Sequence, residues 1–452
     1  MGRSYPGSLH NHTDYSNLRL RDCINKTEDL INYAIELGHE VIAITDHETV
    51  SNAVKVEKYY KKIKKDHPDF KVILGNEIYL CRNGLNAENF NRDYDRYYHF
   101  ILLAKDAIGH KQIREISTRA WRRSYMSRGM RRVPTYYQDL FDIIAENPGH
   151  VIGSTACLGG ALPTQLLRAR TDEPLYEKIY LWIRQMQAIF GKDDFYFELQ
   201  PSHSFEQTYV NRELINLSNE LDIPYTITTD SHYLRKEDAK IHKAYLNSQN
   251  GDREVDAFYA TTYMMNTEEL ESYLDLTDEE LERAYKTIRE IKDKCEDYTL
   301  MKPLKIPQLP WKTPRTNYAG KEWIDKIPYF ETFLNSNFEG DHILVYAIID
   351  AILNDSRLQN KETYDEINEC LKSTWISSEV NKAHWSSYYL NLQRIIEECW
   401  NAGTLVGPGR GSGVGFILLY LLQITQINPM WETTQTFRWR LTRKGSKVSY
   451  LW

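Results

Sequence analysis

The chain has 452 residues, more than a single hydrophobic core usually serves, so two or three domains are expected. Hydrophobic residues make up 42% and charged residues 26%, which is ordinary for a globular protein, and the net charge of −7 excludes a general attraction to nucleic acid. The six cysteines are widely separated, and the N-terminal residues contain no apolar signal sequence. We therefore expect a cytoplasmic protein without a disulfide framework or membrane segment.

The N-terminal region contains two histidines two residues apart, His10 and His12, after a short apolar lead. On an extended strand, residues i and i+2 point the same way, so both imidazoles can bind one ion from one side. Such a pair is more often incidental. The pair is stronger evidence for a metal site here because polar side chains recur at the ends of later strands.

Helical and extended segments alternate over the first 240 residues. An amphipathic helical pattern at 27–37 leads to a buried strand at 41–45, and further strands are predicted at 71–74, 97–104, 151–154, 195–199 and 225–229. This alternation predicts a parallel sheet. Because polar residues follow strand after strand, we expect an α/β fold in which about seven strands form a closed or nearly closed barrel with one functional mouth.

The residues at these strand ends include nitrogen, sulfur and carboxylate donors. The candidates are His10, His12, Asp46, His47, Glu77, Cys157, Asp230 and His232, with His99 near the start of its strand. Nine ligands exceed what one zinc ion takes, and they suit two or three Zn²⁺ or Mn²⁺ ions. Neighbouring ions activate a water and hold the attacking and leaving oxygens of a phosphoester. The residues therefore predict metal-assisted hydrolysis of a phosphate ester.

Each candidate taken alone is more often structural, and only the repetition at strand ends favours a metal site. Cys157 is the weakest, since a lone cysteine after a strand is usually a small buried apolar group. Glu198 is interpreted as a partner in a salt bridge. The stretch 119–132 carries six arginines with aromatic residues between them. It suits phosphate contacts with stacking as well as it suits a solvated charged loop.

Six segments resemble the motifs of the PHP (polymerase and histidinol phosphatase) domain. They are SLHNHTDYS, AITDHETV, LGNEIYL, YHFILLAKD, STACLGG and TTDSHYLRKEDA. In order and spacing they are similar to the version at the N-terminus of bacterial and phage C-family replicative DNA polymerases, the DNA polymerase III α subunit. The resemblance implies a PHP-type distorted (β/α)7 barrel over residues 1–245.

The same resemblance implies the roles of the strand-end residues. All nine metal-ligand positions are matched, by His10, His12, Asp46, His47, Glu77, His99, Cys157, Asp230 and His232, with Asp46, Glu77 and Asp230 as the catalytic residues. An intact set implies a metal cluster with 3′–5′ exonuclease or related phosphoesterase activity. In the family the domain can also be mainly structural, with the metals holding the fold.

The remainder of the chain divides at a proline-rich segment. Residues 246–315 are expected to be a helical connector ending in a linker, because four prolines fall within 303–314. Residues 316–452 resemble the start of the palm domain of the same polymerases, mostly helical, with a GPGRGS loop at 407–412. Backbone amides of such a loop bind anions, and the resemblance implies nucleotide binding by Gly409, Arg410, Gly411 and Ser412.

In the family, an Asp-x-Asp pair and a third aspartate of the palm hold Mg²⁺ for nucleotidyl transfer. Residues 447–452 resemble the lead-in to that pair, and Trp452 stands where the first aspartate is expected. The expected function is the truncated N-terminal part of a replicative DNA polymerase. Its expected partners are DNA, deoxynucleoside triphosphate, the remaining polymerase fragment and replisome proteins. The alternatives are a stand-alone PHP metallophosphoesterase and a scaffold stabilised by structural metals.

The isolated chain is expected not to extend a DNA primer, because the carboxylates that hold the catalytic Mg²⁺ ions in the family are not part of it. A primer-extension assay on the purified chain measures this. Extension at the rate of a complete polymerase would contradict the interpretation of residues 316–452 as a partial palm.

Overall fold

The computed structural model describes residues 3–91, 94–127, 130–170, 175–248, 256–311 and 320–430. The chain divides into two compact units, Met1–Met301 and Lys302–Trp452. The first unit is mixed α/β and contains a curled sheet, and the second is helical.

The strands of the first unit are β1 (Val41–Ile44), β2 (Lys71–Cys81), β3 (Tyr98–Ala104), β4 (Tyr125–Ser127), β5 (Met130–Arg132), β6 (Thr135–Tyr136), β7 (Val151–Ser154), β8 (Phe195–Leu199) and β9 (Tyr225–Ile227). Seven of them form the main sheet, in the order β1-β2-β3-β7-β8-β9 with β6 paired to β2. Strands β4 and β5 form a separate antiparallel hairpin. The short strands β1, β7, β8 and β9 are buried on both faces, which explains their unbroken apolar runs.

Strand β3 runs against its neighbours. It is antiparallel to both β2 and β7, whereas the pairs β1–β2, β7–β8 and β8–β9 are parallel. The expectation of a parallel sheet is therefore wrong for β3. The described part of the connection over 82–97 contains no helix, and parallel neighbours need a long crossover, usually a helix. As a result the start of β3, with His99, lies at the sheet edge where β1 and β2 end.

The N-terminal segment 6–12 bridges the two edges of the sheet. On one side it accepts three backbone hydrogen bonds from β1 and the residue after it: Val41 N to Pro6 O (3.1 Å), Ala43 N to Ser8 O (3.0 Å) and Thr45 N to Asn11 O (2.9 Å). On the other side the His12 amide donates to the Ser231 carbonyl at 3.0 Å, just beyond β9. These bonds curl the sheet into a distorted barrel and hold His10 and His12 inside it.

Helices cover the sheet of the first unit. They are α1 (Thr27–Glu36), α2 (Ala53–Ile63), α3 (Ala107–Arg122), α4 (Tyr137–Leu140, continued by a π turn at Phe141–Ala145), α5 (Ala161–Ala169), α6 (Leu175–Phe190), α7 (Phe205–Leu221), α8 (Ala239–Asn247), α9 (Asp256–Tyr259), α10 (Thr267–Ser272) and α11 (Asp278–Lys294). Short 3₁₀ turns lie at Asp14–Leu18, Lys192–Asp194 and Lys236–Asp238.

Helix α11 lies in the segment that the sequence interprets as a connector. Thr277 and Glu280 form a capping box at its start, with Thr277 N donating to Glu280 Oε2 at 2.9 Å. Its residues Tyr285 and Ile288 are buried in the same core as β8 and β9. Helix α11 is therefore an integral layer of the first unit.

The second unit is built from the helices α12 (Lys321–Lys326), α13 (Tyr329–Leu334), α14 (Glu339–Asn354), α15 (Lys361–Asn381), α16 (Trp385–Asn401) and α17 (Ile417–Leu421), with 3₁₀ turns at Ser356–Leu358 and Gly411–Gly415. Their apolar faces form one core around Phe330, Leu344, Ile348 and Leu371. The helical character expected for this region is confirmed over the described residues 320–430. None of the described helices is both long and apolar enough to cross a membrane.

Stability of the first unit is expected to depend on pH through His39, whose buried ring donates a hydrogen bond from Nε2 to the Met265 carbonyl at 3.1 Å. Burial lowers the pKa of His39 to about 4, below the ordinary value of 6.5. Between these pH values the unfolded chain binds a proton that the folded chain does not. Stability therefore falls as the pH drops from 6.5 towards 4, by up to about 1.4 kcal/mol per unit of pKa difference.

The variant His39→Gln should flatten this part of the pH profile in urea unfolding with chelator present. His67→Gln is the control, because His67 is exposed. An unchanged slope in His39→Gln would show that the folded protein accommodates the protonated ring.

Candidate metal centre

Histidine, cysteine and carboxylate side chains converge inside the barrel mouth. Three overlapping groups have ligand atoms that all lie within 4.8 Å of one another: His12 with His47 and His232, His10 with His12 and Glu77, and Glu77 with His99 and Cys157. His12 belongs to two groups and Glu77 to two, so the three groups form one continuous cluster. All are buried except His99, whose side chain is 21% exposed.

Asp230 joins the cluster from the end of β9. Its Oδ1 lies 3.0 Å from His12 Nε2, 3.2 Å from His10 Nε2 and 3.5 Å from His232 Nδ1. Asp230 has a positive φ of 48°, a conformation that aspartate tolerates better than most residues. Asp230 and His232, two residues apart, both face the site, and the left-handed backbone of Asp230 lies in the turn that follows β9.

Glu77 is the central carboxylate of the cluster. Its Oε1 lies 2.8 Å from His99 Nδ1 and 3.6 Å from His10 Nε2, and its Oε2 contacts His47 Nδ1. Cys157 reaches the same side, with Sγ 3.3 Å from His99 Nδ1. His99 reaches Glu77 because β2 and β3 are antiparallel. Glu77 pairs with Ile101, and His99 lies two residues before Ile101, at the mouth.

Three imidazoles are oriented by acceptors at Nδ1. His10 Nδ1 lies 2.7 Å from Glu198 Oε1, His12 Nδ1 lies 3.1 Å from Ser16 Oγ, and His232 Nδ1 lies 2.7 Å from the Asp230 carbonyl. With the proton on Nδ1, each ring directs the lone pair of Nε2 into the cluster, as metal-binding histidines do. The Nε2 atoms of His10 and His12 approach to 3.1 Å.

Glu198 is therefore more than a partner in an ordinary salt bridge. Besides His10, its Oε1 accepts hydrogen bonds from Thr228 Oγ1 at 2.7 Å and from Gln200 Nε2 at 3.0 Å. It lies on β8 and faces the barrel interior. No motif marks this position in the sequence, and only the inward side of a fully buried strand distinguishes it.

The structure does not bring Asp46 into any of the three donor groups. Its carboxylate accepts hydrogen bonds from Thr13 N at 2.6 Å, Thr13 Oγ1 at 2.9 Å and Ser16 Oγ at 2.8 Å. Because Ser16 also contacts His12, Asp46 acts on the cluster through that hydroxyl. This differs from the expectation of Asp46 as a ligand and catalytic residue.

Asp22, which the sequence interpretation does not name as a ligand, contacts the cluster directly. Its Oδ2 lies 3.2 Å from His47 Nε2, 3.6 Å from His232 Nε2 and 3.0 Å from Tyr259 Oη. Asp22 comes from an irregular loop between the 3₁₀ turn Asp14–Leu18 and α1. Strand-end reasoning missed it because no strand precedes it.

Opposing forces act on the protonation of the cluster. Burial lowers the pKa of His10 and of His47, but the neighbouring carboxylates outweigh it and raise the two values to about 9 and about 10. Burial together with the charges of His47 and His232 lowers the pKa of His12 to about 3. Burial raises the pKa of Glu77, yet the charges of His99 and His47 outweigh it and lower the value. The carboxylates of the cluster are therefore stabilised by nearby positive charge. The closely spaced imidazoles cannot all be protonated at once to provide it.

The donor set fits metal binding. The Oδ1 atom of Asp22 is buried without a hydrogen-bond partner among the described residues, and Asp230 Oδ1 is buried close to two imidazole nitrogens without a hydrogen bond of good geometry. Such atoms are costly to bury unless a ligand satisfies them. The combination of imidazole, carboxylate and thiol donors is typical of zinc and related divalent ions.

Comparison with known proteins agrees with this geometry. The PHP domain family matches residues 8–202, and the Bacterial DNA polymerase III alpha NTPase domain matches residues 352–447. The chain thus contains one region similar to the PHP domain and a second region similar to part of the DNA polymerase III alpha proteins. Two relatives are each 37% identical over 93% of this chain and 34% of their own length: "Probable DNA polymerase YorL" of Bacillus subtilis strain 168 and "DNA-directed DNA polymerase" of Bacillus phage SPbeta.

Cellular proteins similar to this chain share fewer identical residues with it. The "DNA polymerase III subunit alpha" of Borreliella burgdorferi is 27% identical over 93% of this chain and 33% of its own length. The chain thus spans about a third of the length of the curated relatives it matches. A solved protein assigned to the metal-dependent phosphoesterases, from Bifidobacterium adolescentis, aligns with 64% of this chain and 96% of its own at 15% identity. Its TM-score of 0.35 is too low to carry a functional argument.

The glycine-rich loop of the polymerase-like region lies in the second unit. Gly409 and Gly411 have φ values of 134° and 70°, which residues with a Cβ rarely adopt. The Arg410 side chain is exposed, and Gln426 N donates to the Pro408 carbonyl at 2.8 Å. A 3₁₀ turn, Gly411–Gly415, begins within the loop. The side chain of Ser412 lies outside the described residues.

The arginines of 119–132 differ in their partners. Arg119 contacts Asp142 at 3.3 Å, and Arg123 contacts Asp139 at 2.7 Å and lies over the Tyr136 ring. These two hold the first unit together. Arg128 lies outside the described residues, and Arg131 and Arg132 belong to the β4–β5 hairpin.

Replacement of Asp22 should impair metal binding more than replacement of Asp46. We expect Asp22→Asn to lose at least one bound ion per chain, because its oxygens face the cluster directly. Asp46→Asn should keep the full number of ions, with affinity lower by about 10- to 100-fold, because it orients His12 through Ser16. Elemental analysis and metal titration of the two folded variants measure this. Equal ion loss in both would make Asp46 a direct ligand.

Proposed function

We propose that the cluster binds two or three zinc or manganese ions and hydrolyses phosphodiester bonds at the 3′ end of a DNA strand. On this proposal the chain is the part of a cytoplasmic replicative polymerase that carries a 3′–5′ exonuclease site. The residues that would hold the ions are His10, His12, Asp22, His47, Glu77, His99, Cys157, Asp230 and His232.

The observation that carries the proposal is the sharing of His12 and Glu77 between neighbouring donor groups. A single structural zinc takes four ligands in a closed tetrahedron, and this cluster has more than twice that number of donors. Shared ligands suit several ions lying close together. When bound, such ions supply an activated water and stabilise the attacking and leaving oxygens of a phosphoester.

The protein's own residues orient these ligands and exclude water. Glu198 holds the proton on His10 Nδ1, Ser16 fixes the His12 ring, and the Asp230 carbonyl fixes the His232 ring. Burial of the cluster makes each electrostatic contact stronger than it would be in water. Since His99 is the one partly exposed member of the three donor groups, we infer that the substrate enters on the His99 side.

For the second unit we propose nucleotide binding by the loop that contains Gly409, Arg410, Gly411 and Ser412. The match of residues 352–447 to an NTPase domain supports this, and the exposed Arg410 suits contact with a phosphate. Nucleotidyl transfer would need Mg²⁺ and carboxylates from the remainder of a longer polymerase. The proposed partners are that remainder, replisome proteins, DNA and deoxynucleoside triphosphate.

The metal-loaded chain is expected to shorten a 5′-labelled single strand from its 3′ end. A chelator should abolish this activity, and Asp230→Ala should lower the rate at least about 100-fold, because it removes an anionic ligand from the centre. Glu237→Gln is the control, since this exposed residue lies only seven positions away and has no place in the cluster. Product ladders on denaturing gels give the rates.

Two results would count against the proposal. Wild-type chain that holds its ions yet leaves the strand intact would favour a structural role for the metals. Activity that persists in Asp230→Ala would point to a contaminating nuclease or to another site.

A further inference from the structure

Arg19 is a buried cation without an anionic partner. Its side chain is 6% exposed, its Cζ lies 4.0 Å above the centre of the Tyr79 ring, and Nη1 contacts the Met130 sulfur at 3.5 Å. Its Nε has no hydrogen-bond partner, and no carboxylate within the described ranges lies at ion-pair distance from it. Glu48, the carboxylate whose charge it affects, accepts hydrogen bonds from Tyr79 N and Thr135 Oγ1 through Oε1, and its Oε2 is buried without a hydrogen-bond partner among the described residues. Burying an unpaired charge is costly, so an anionic ligand is expected here.

Arg132 brings a second unpaired cation to the same place. It lies on β5, with Cζ 5.5 Å from the centre of the Tyr97 ring, and it too lacks a carboxylate at ion-pair distance among the residues that the structure describes. Burial and the charge of Arg19 lower the pKa of Arg132. Two guanidinium groups that repel each other are stabilised when an anion with several oxygens lies between them.

Tyr79 connects these arginines to the metal centre. Its hydroxyl lies 3.1 Å from His47 Nδ1, and its ring lies 4.6 Å from the His99 ring. Arg19 covers the same ring. The cations therefore lie next to the cluster on the side of its partly exposed member, His99.

Aromatic surface continues outward from this place. The Tyr97 ring stacks on Phe90 with centroids 5.9 Å apart and an angle of 16° between planes, and its hydroxyl contacts that of Tyr125. Phe90 is 36% exposed and Met126, on the same hairpin as Arg132, is 58% exposed. Phosphate-binding cations beside stackable rings are typical of single-strand binding surfaces.

We propose that Arg19 and Arg132 form a phosphate subsite beside the metal centre, which binds the backbone of a single DNA strand whose 3′-terminal phosphodiester occupies the centre. Phe90 and Tyr97 then stack against its bases. This proposal rests on the proposed exonuclease function and names the residues that position its substrate. Arg19 and Arg132 are positioning residues, because nothing places them on the reacting atoms.

The test uses a 5′-fluorescein deoxythymidine decamer and the metal-loaded full chain at 4 °C. We expect Arg19→Gln and Arg132→Gln to weaken binding about 10- to 100-fold, as loss of a hydrogen bond to a charged group does. Each should lower the slope of log affinity against log salt by about 1. Arg19→Lys should have the salt slope of the wild type but only part of its affinity for the decamer, since lysine lacks the bidentate fork of arginine.

Arg21→Gln is the matched control, because it removes an equal charge from an exposed residue two positions away. Elemental analysis and circular dichroism establish that each variant keeps its ions and fold. If Arg19→Gln fails to fold, Arg132→Gln still tests the subsite, because Arg132 lies on a hairpin outside the main sheet.

The outcomes separate the two proposals. Binding that depends on Arg19 and Arg132, without hydrolysis by the wild type, supports the subsite and overturns the exonuclease. Hydrolysis by the wild type, with KM and affinity in both variants equal to those of Arg21→Gln, overturns the subsite and leaves the exonuclease standing. A raised KM with nearly unchanged kcat supports both. If the two arginine variants lose binding of inorganic phosphate but bind the decamer as the wild type does, the arginines bind a free anion. That result would overturn the strand subsite.

Discussion

The contacts of the Glu77 carboxylate with the imidazoles of His47 and His99 are the interaction around which the first unit is organised. A carboxylate buried in a barrel normally takes up a proton, because burial favours the neutral form. Here the imidazoles outweigh burial and keep Glu77 charged. The fold must therefore bring cationic or metal-binding groups to one point from distant parts of the chain, and its irregular features serve that convergence.

Two departures from a regular barrel make the convergence possible. The antiparallel direction of β3 places the start of that strand, and so His99, at the mouth where parallel strands end. The left-handed backbone at Asp230 redirects the chain beyond β9, where both Asp230 and His232 contact the site. Such strained conformations persist where surrounding structure or a ligand compensates them. The hydrogen bonds of segment 6–12 to both sheet edges complete the site by fixing His10 and His12 between them.

Much of this arrangement can be predicted from the sequence pattern. The residues that could not be predicted have identifiable structural reasons. His10 and His12 share a strand face by simple alternation, and Glu77 lies within β2 at the level where β1 ends. Asp22 could not be predicted because it lies in a loop, where no strand alternation indicates which way its side chain faces. Glu198 escapes prediction because every residue of β8 is buried, so the apolar run hides which side faces the cluster. Asp46 adjoins His47 at the end of β1, but its carboxylate accepts hydrogen bonds from Thr13 and Ser16, so its role as a ligand stays a prediction.

The overall charge of −7 bears on how a nucleic-acid strand would reach the proposed exonuclease site. The chain as a whole repels a polyanion, so attraction must come from cations whose charge is not already neutralised. In the basic stretch 119–132, Arg119 and Arg123 are paired with Asp142 and Asp139 and contribute little net field. Arg132 and the more distant Arg19 retain their charge, and both lie on the side of the partly exposed His99. Neutralised arginines thus stabilise the fold, while the unpaired ones produce a local positive field beside the candidate metal centre.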